Sequence, residues 1–376
     1  MNMPTLQTLD TPAAVIDIPR MQRNIQRMQQ RMDTLGVRLR PHVKTSKCLS
    51  VIDAQRGAGA QGITVSTLKE AAHCFSHGID DILYGVAMAP GKLQQALELR
   101  LKGCRLSIVT DSLVGAQAIV SFGRDHGHRF EVWIEIDSDG HRSGLKVEDP
   151  TLLHVARTLH EGGMQLLGVM THAGSSYELD NPEALQAMAE QERRACVMAA
   201  DKLRAQGLPC PEVSIGSTPT ALSATSLEGV TEVRAGVYVF FDLVMLNVGI
   251  CQPDELALSV LTTVIGHQEE KGWIITDAGW MAMSRDRGTQ KQKRDFGYGQ
   301  VCTESGEWIE GAVFEGANQE HGIVSTCEAH ITDRYPIGSR LRILPNHACA
   351  TGAQFPEYQA VDAEGRVQVW GRLYGW

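Results

Sequence analysis

The sequence predicts an α/β protein: a (β/α)8 TIM barrel joined to a second, mainly antiparallel β-domain. Three observations carry that prediction. Eight short apolar runs alternate with helix-compatible stretches over about 220 residues, the count and span of a barrel. Each run leads into a polar or small-residue loop. Beyond about residue 250 the texture changes to short strand-like runs separated by turn residues, with no long amphipathic helix. A doubly wound sheet shares the alternation, because pattern alone does not show closure, but no Gly-x-Gly-x-x-Gly turn is present.

Taken in order, residues 11–18 (Thr-Pro-Ala-Ala-Val-Ile-Asp-Ile) read as a strand. Met21, Ile25, Met28 and Met32 then recur on one helical face, and such a methionine stripe suits core packing. The barrel runs are 37–44, 62–66, 81–84, 105–110, 131–137, 166–172, 212–215 and 237–241. The later runs are 256–265, 273–277, 308–314, 322–325, 340–344 and 366–370. The predicted barrel occupies 19–250, and 1–18 plus 251–376 form the β-domain, because the first strand has no place in an eight-strand ring. Segment 281–299, rich in charge and glycine, reads as mobile or interfacial.

Composition narrows the function classes. With 35 Lys and Arg against 44 Asp and Glu, the formal charge of −9 argues against a nucleic-acid partner, which needs excess cations. No apolar run approaches the ~20 residues of a membrane span. The N-terminus lacks the basic and apolar regions of a secretory signal. Nine cysteines without a Cys-x-x-Cys pair fit reduced thiols, and so a cytoplasmic protein.

Chemistry is expected at the C-terminal ends of the barrel strands. The stretch Arg38-Leu-Arg-Pro-His-Val-Lys-Thr-Ser-Lys-Cys48 places Lys44 at the end of the first. A lysine desolvated there, with cations close by, has a lowered pKa and can form a Schiff base with a carbonyl. A solvated basic turn is the competing reading. The fifth strand runs into Asp137-Ser-Asp-Gly-His-Arg142, the sixth into Thr171-His172-Ala-Gly, and the seventh into Gly216-Ser217-Thr218-Pro219-Thr220. Gly216 lets backbone approach an anion, the two hydroxyls can bind it, and Pro219 and Thr220 can open a helix whose N-terminus attracts phosphate. Gly236 and Tyr238, entering the eighth strand, could add N–H donors, while a capped structural turn explains the same residues. In Asn346-His347-Ala348-Cys349, residues i and i+2 of a strand share a face, so His347 and Cys349 could both reach one metal; a buried thiol beside a chance histidine is the alternative. His321 invites the same question.

Together these segments resemble the fold-type III pyridoxal phosphate enzymes, the group that includes alanine racemase. They look more like the metal-dependent branch of D-threonine aldolases and D-serine dehydratases. The matching segments are Arg40–Cys48, Thr171–Gly174, Gly216–Thr220, Arg234–Tyr238, Glu320–Gly322 and Pro345–Thr351, in the family's order. The resemblance implies pyridoxal 5'-phosphate on Lys44, with its phosphate held by Gly216, Ser217, Thr218, Gly236 and Tyr238. It implies a divalent metal on His347 and Cys349, Mn2+ or Zn2+ with Mg2+ or Co2+ as alternatives. His172 and Arg142 would stand near the cofactor ring as catalytic residues, and the assembly would be a homodimer. The Lys-x-Asn-Ala-Tyr-Gly signature of alanine racemase is absent, which weighs against racemisation. The expected reaction is retro-aldol cleavage of a D-β-hydroxy-α-amino acid, D-threonine giving glycine and acetaldehyde. Dehydration of D-serine to pyruvate and ammonia is the alternative, and the wording His-Ala-Cys-Ala-Thr looks closer to the aldolase. A non-catalytic role in pyridoxal phosphate homeostasis fits less well, because such proteins are single barrels without the β-domain.

Overall fold

The computed structural model describes residues 5–327 and 330–375. The chain divides into two compact units. One is made of Arg27–Lys44 and Ile52–Gly236; the other holds the residues up to Gln26, Thr45–Val51 and Val237–Gly375. The division thus falls at Gly236, earlier than the sequence places it, and assigns the short Thr45–Val51 segment to the β-rich unit.

The first unit is built on eight parallel strands: Arg38–Leu39, Ile63–Val65, Asp81–Ala87, Arg105–Thr110, Glu131–Glu135, Gln165–Met170, Glu212–Ile215 and Glu232–Val233. They pair in chain order, and the last lies beside the first. His42 bridges Thr64, and backbone bonds of 2.9 Å from Val43 to Thr64 and 2.8 Å from Thr64 to Pro41 join the first strand to the second. Parallel neighbours require crossovers, and helices supply them. Leu83, Val109, Trp133 and Met170, from four successive strands, form one buried cluster. The Trp133 indole N–H finds Ser107 Oγ at 3.1 Å, so its polar edge is not left unpaired.

Two strand expectations change. The eighth strand is the two-residue Glu232–Val233, whereas Val237–Phe241 opens with a 3-10 turn and Phe241 has φ +47°. Every residue of that run is buried. A fully buried apolar run lacks the alternation that would distinguish a strand from an irregular segment. The first strand stops at Leu39, so Lys44 stands in a turn beyond it. Met21, Ile25, Met28 and Met32 are buried on the helix Ile18–Thr34, as the stripe predicts.

The second unit is a nine-stranded sheet in the order Trp273–Thr276, Gly322–Thr326, Trp308–Ala317, Gly299–Thr303, Arg340–Pro345, Leu258–Gln268, Ala13–Asp17, Glu357–Val361 and Val367–Gly371. Pairing is antiparallel except between Ala13–Asp17 and Glu357–Val361. The N-terminal strand therefore does join the β-rich unit. Val260, Ile274, Phe314, Val324 and Ile343 lie in its core. Segment 281–299, read as mobile or interfacial, is bonded to buried Asn346, which donates to Gly297 O (2.7 Å) and Asp286 O (3.2 Å) and accepts from Thr289 Oγ1 (3.0 Å). Among the described residues no helix is long and apolar enough to cross a membrane.

Candidate active site

Polar side chains gather where the barrel strands end. Lys44 is exposed, so the desolvation expected of it is not supplied by the chain's own packing. The cations that precede it are committed to carboxylates. Arg38 pairs with Glu212, while Arg40 reaches Glu232 (Nε–Oε2, 2.9 Å) and Asp81 (Nη1–Oδ1, 2.7 Å). The charges that reach the site come instead from Arg234 and Arg142. Buried Arg234 donates to Ser214 Oγ (2.8 Å) and Thr171 O (2.5 Å); exposed Arg142 lies 3.6 Å from Glu135 Oε1.

Two histidines lie in this cationic field. His172, half-buried, bonds Gly216 O through Nδ1 at 2.9 Å. A carbonyl only accepts, so Nδ1 carries the proton and Nε2 keeps its lone pair. Burial pushes its pKa down to about 3; the Gly216 bond opposes the shift, and Lys44, Arg234 and Arg142 add to it. Burial also holds His42 well below the ordinary histidine value, with Lys44 and Arg234 contributing. His42 Nδ1 is buried and has no hydrogen-bond partner among the described residues.

The Gly216 turn is a built structure. Gly216 has φ +127°, and a Cβ there would meet Val233 Cγ1 at 2.9 Å and Arg234 N at 3.0 Å, so only glycine fits. Its N–H donates to Glu192 Oε1 at 3.2 Å. Ser217 caps the short helix Thr218–Ser223 reciprocally with Thr220 and meets Ser176 Oγ at 2.8 Å. Thr218 is fully buried. Gly236 ends the barrel unit, and Tyr238 is buried in the 3-10 turn Val237–Val239 of the other unit.

In the β-rich unit, His347 and Cys349 do not lie on a strand. Arg340–Pro345 ends before them, His347 is the extended N-cap residue of the helix Ala348–Gly352, and Cys349 sits in that helix's first turn. They nevertheless hydrogen-bond side chain to side chain. Asp286 Oδ2 accepts from His347 Nδ1 at 2.7 Å, and Thr45 Oγ1 lies 3.2 Å from Cys349 Sγ. Buried Asp242 accepts the Ala348 N–H at 2.9 Å. Burial alone would disfavour the imidazolium, yet Cys349, Asp286 and Asp242 hold the His347 pKa well above its usual value. His321 is exposed in the turn before Gly322–Thr326. Among the described residues no group of three or more His, Cys, Asp or Glu is arranged to hold a metal.

Sequence reasoning missed Glu192, Arg234, Asp242 and Asp286 as site residues. Glu192 lies within the helix Pro182–Ala205 and is fully buried, and burial pushes its pKa up to about 7. Its one legible signal is an acid on the apolar face of an amphipathic pattern, where a carboxylate needs donors.

The alanine racemase N-terminal domain family matches residues 16–244, and a serine dehydratase domain family matches 257–361. The D-threo-3-hydroxyaspartate dehydratase of Delftia sp. strain HT23 is 68% identical over 99% of both chains, and its solved structure superposes with a TM-score of 0.98 over 99% of this chain and 100% of that one. Solved forms of that enzyme include a histidine-to-alanine variant and a metal-free cysteine-to-alanine variant, substituted two positions apart. A D-serine dehydratase of Dictyostelium discoideum is 29% identical over 97% of both chains, and a D-threonine aldolase of Arthrobacter sp. is 27% identical over 92% of this chain and 87% of the other. With more than half its length matched by one family and nearly all of it aligned to such a relative, the chain belongs to the alanine racemase-like, fold-type III family, in the branch whose second domain is of the serine dehydratase type.

Proposed function

We propose that this chain is a pyridoxal phosphate- and divalent-metal-dependent lyase that dehydrates D-β-hydroxy-α-amino acids, with D-threo-3-hydroxyaspartate as its substrate. The observation that carries this reading is the His347-x-Cys349 pair. It has the two-residue spacing of the His and Cys substituted in the Delftia dehydratase, within a chain 68% identical to it. Retro-aldol cleavage, the reaction expected from the sequence, becomes the second choice because identity to the Arthrobacter aldolase is only 27%.

The residues suit both groups. An orphaned buried His42 Nδ1, a glycine cradle at Gly216 and an accessible Lys44 amine fit the cofactor. Imidazole and thiol donors fit a borderline-soft ion such as Zn2+ better than Mg2+, and Mn2+ remains part of the reading. When bound, pyridoxal phosphate supplies an electron sink for the pair left at Cα, and the metal supplies a Lewis acid for the departing β-oxygen.

The chain's own residues do the rest. Lys44 would hold the cofactor through Nζ and, when its amine is free, would take the proton from Cα. His172, neutral through the physiological range, adds no charge while its Nδ1–H fixes the Gly216 peptide. Asp286 fixes the His347 ring through Nδ1 and so leaves Nε2 as the ligating nitrogen. Ser217 and Thr218 would contact the phosphate. The reading includes a homodimer.

Purified protein given pyridoxal phosphate and Zn2+ or Mn2+ should convert D-threo-3-hydroxyaspartate to oxaloacetate and ammonia. Glycine and glyoxylate from the same tube would contradict dehydration and restore the aldolase reading.

A further inference from the structure

We infer that Glu192 is a positioning residue that joins the two turns of the barrel-unit site into one body. The assignment rests on the pyridoxal phosphate reading above. A single carboxylate oxygen, Oε1, accepts the N–H of Ala173 at 2.8 Å and the N–H of Gly216 at 3.2 Å. The first of these peptides directly follows His172; the second opens the Gly216 turn. The loop is closed by the His172 Nδ1 bond to Gly216 O at 2.9 Å. Both faces of the Gly216 residue are therefore held, its N–H by Glu192 and its carbonyl by His172.

Three features distinguish this from a chance buried acid. Glu192 has no exposed surface, and its helix is held to a third turn of the same site, where neighbouring Gln191 Nε2 donates to Ser138 O at 2.7 Å. Both donors are backbone groups of turns that no strand pairing restrains, so removing the acceptor leaves two buried N–H groups unpaired. Gly216 at φ +127° needs such restraint, because glycine otherwise samples more backbone conformations than any other residue. The Glu192 side chain also lies beside Thr220, the residue that completes the cap with Ser217, while its Oε2 has no hydrogen-bond partner among the described residues. Glu192 thus contacts the turn carrying His172, the glycine that begins the predicted phosphate turn, and the cap that ends it.

The test compares pyridoxal 5'-phosphate with pyridoxal, both titrated into the apo protein and read by visible absorbance. Glu192→Leu removes the acceptor, and Glu192→Gln keeps an oxygen at the Oε1 position. Glu192→Leu should weaken pyridoxal phosphate binding about tenfold or more, the loss of a bond to a charged acceptor, and leave pyridoxal binding within about twofold. Glu192→Gln should restore pyridoxal phosphate affinity to within about threefold of wild type. A role confined to stability would lower the melting temperature and move both ligands together or neither, which would overturn the assignment. So would equal losses in the Leu and Gln variants. Should Glu192→Leu fail to fold, Glu192→Asp, shorter by one methylene, carries the same expectation. Wild-type protein that binds neither ligand would overturn the cofactor reading itself. Wild type that binds pyridoxal phosphate beside a Glu192→Leu that binds equally well would overturn only the role of Glu192.

Discussion

His172 and His347 belong to different units of the chain and are driven in opposite directions. His172 sits among Lys44, Arg234 and Arg142, bonds a backbone carbonyl, and has its pKa pushed down to about 3. His347 sits against Cys349, Asp286 and Asp242 and is held well above the usual value. Both are partly buried and burial disfavours the charged form of each, so it is the sign of the surrounding charge that separates them. An imidazole in a cationic pocket stays neutral and serves as a fixed hydrogen-bonding group beside a site for an anion. An imidazole in an anionic pocket is where a cation would bind, because the same carboxylates and cysteine sulfur that favour a proton favour a metal. The two halves of the proposed chemistry are thus written in two local electrostatic environments.

That contrast can be broken or sharpened. Lys44→Ala, the largest expected effect, should lower turnover by about 10³-fold or more, as loss of a covalent anchor and proton carrier does. Full activity in that variant would remove the barrel-unit half of the comparison. Asp286→Ala should weaken metal affinity about 10- to 100-fold, because the carboxylate fixes the ring of a metal-ligating histidine; unchanged metal content after dialysis would sink that role. The pH dependence of stability is a smaller effect. The folded-state pKa of His172 is near 3, below the unfolded value of ~6.5, so its contribution is complete above pH ~6.5 and is lost as pH falls toward 3. In apo protein the urea midpoint should therefore fall less steeply between pH 6.5 and 4 in His172→Asn than in wild type, each pH unit being worth at most ~1.4 kcal/mol for one group. Parallel slopes would show that His172 is not held neutral. Smallest of all, Arg105→Ala, which breaks an exposed pair with Asp80, should change stability by less than ~1 kcal/mol. A larger change would undermine the view that only enclosed charges matter here.

Much of this was legible in the sequence, and the gaps have a common cause. The alternation of strand and helix signals exposed seven of the eight barrel strands, and motif wording singled out Lys44, the Gly216 turn and the His347-x-Cys349 pair as candidates. The eighth strand was misplaced because Val237–Phe241 is buried on all sides, which erases periodicity, while Glu232–Val233 is only two residues long. The supporting carboxylates left only a faint trace, the place of Glu192 on the apolar face of its helix, and no sign of their partners. Glu192 reaches Gly216 across 24 positions and Asp286 reaches His347 across 61, and nothing local marks an acid that will find a distant donor. Contrary to what the i, i+2 spacing suggests, His347 and Cys349 do not share the face of a strand. An N-cap residue followed by a helical turn brings them together, not the pleat of a strand.

The most direct measurement is a paired assay of visible cofactor absorbance and bound metal on wild type, Lys44→Ala and Cys349→Ala after reconstitution with pyridoxal phosphate and Zn2+. The two-environment account predicts a double dissociation. Lys44→Ala loses the absorbance and keeps the metal; Cys349→Ala loses the metal and keeps the absorbance. Loss of both signals in either variant, in protein that remains folded, would contradict the assignment of cofactor binding to Lys44 and of metal binding to the His347–Cys349 pair.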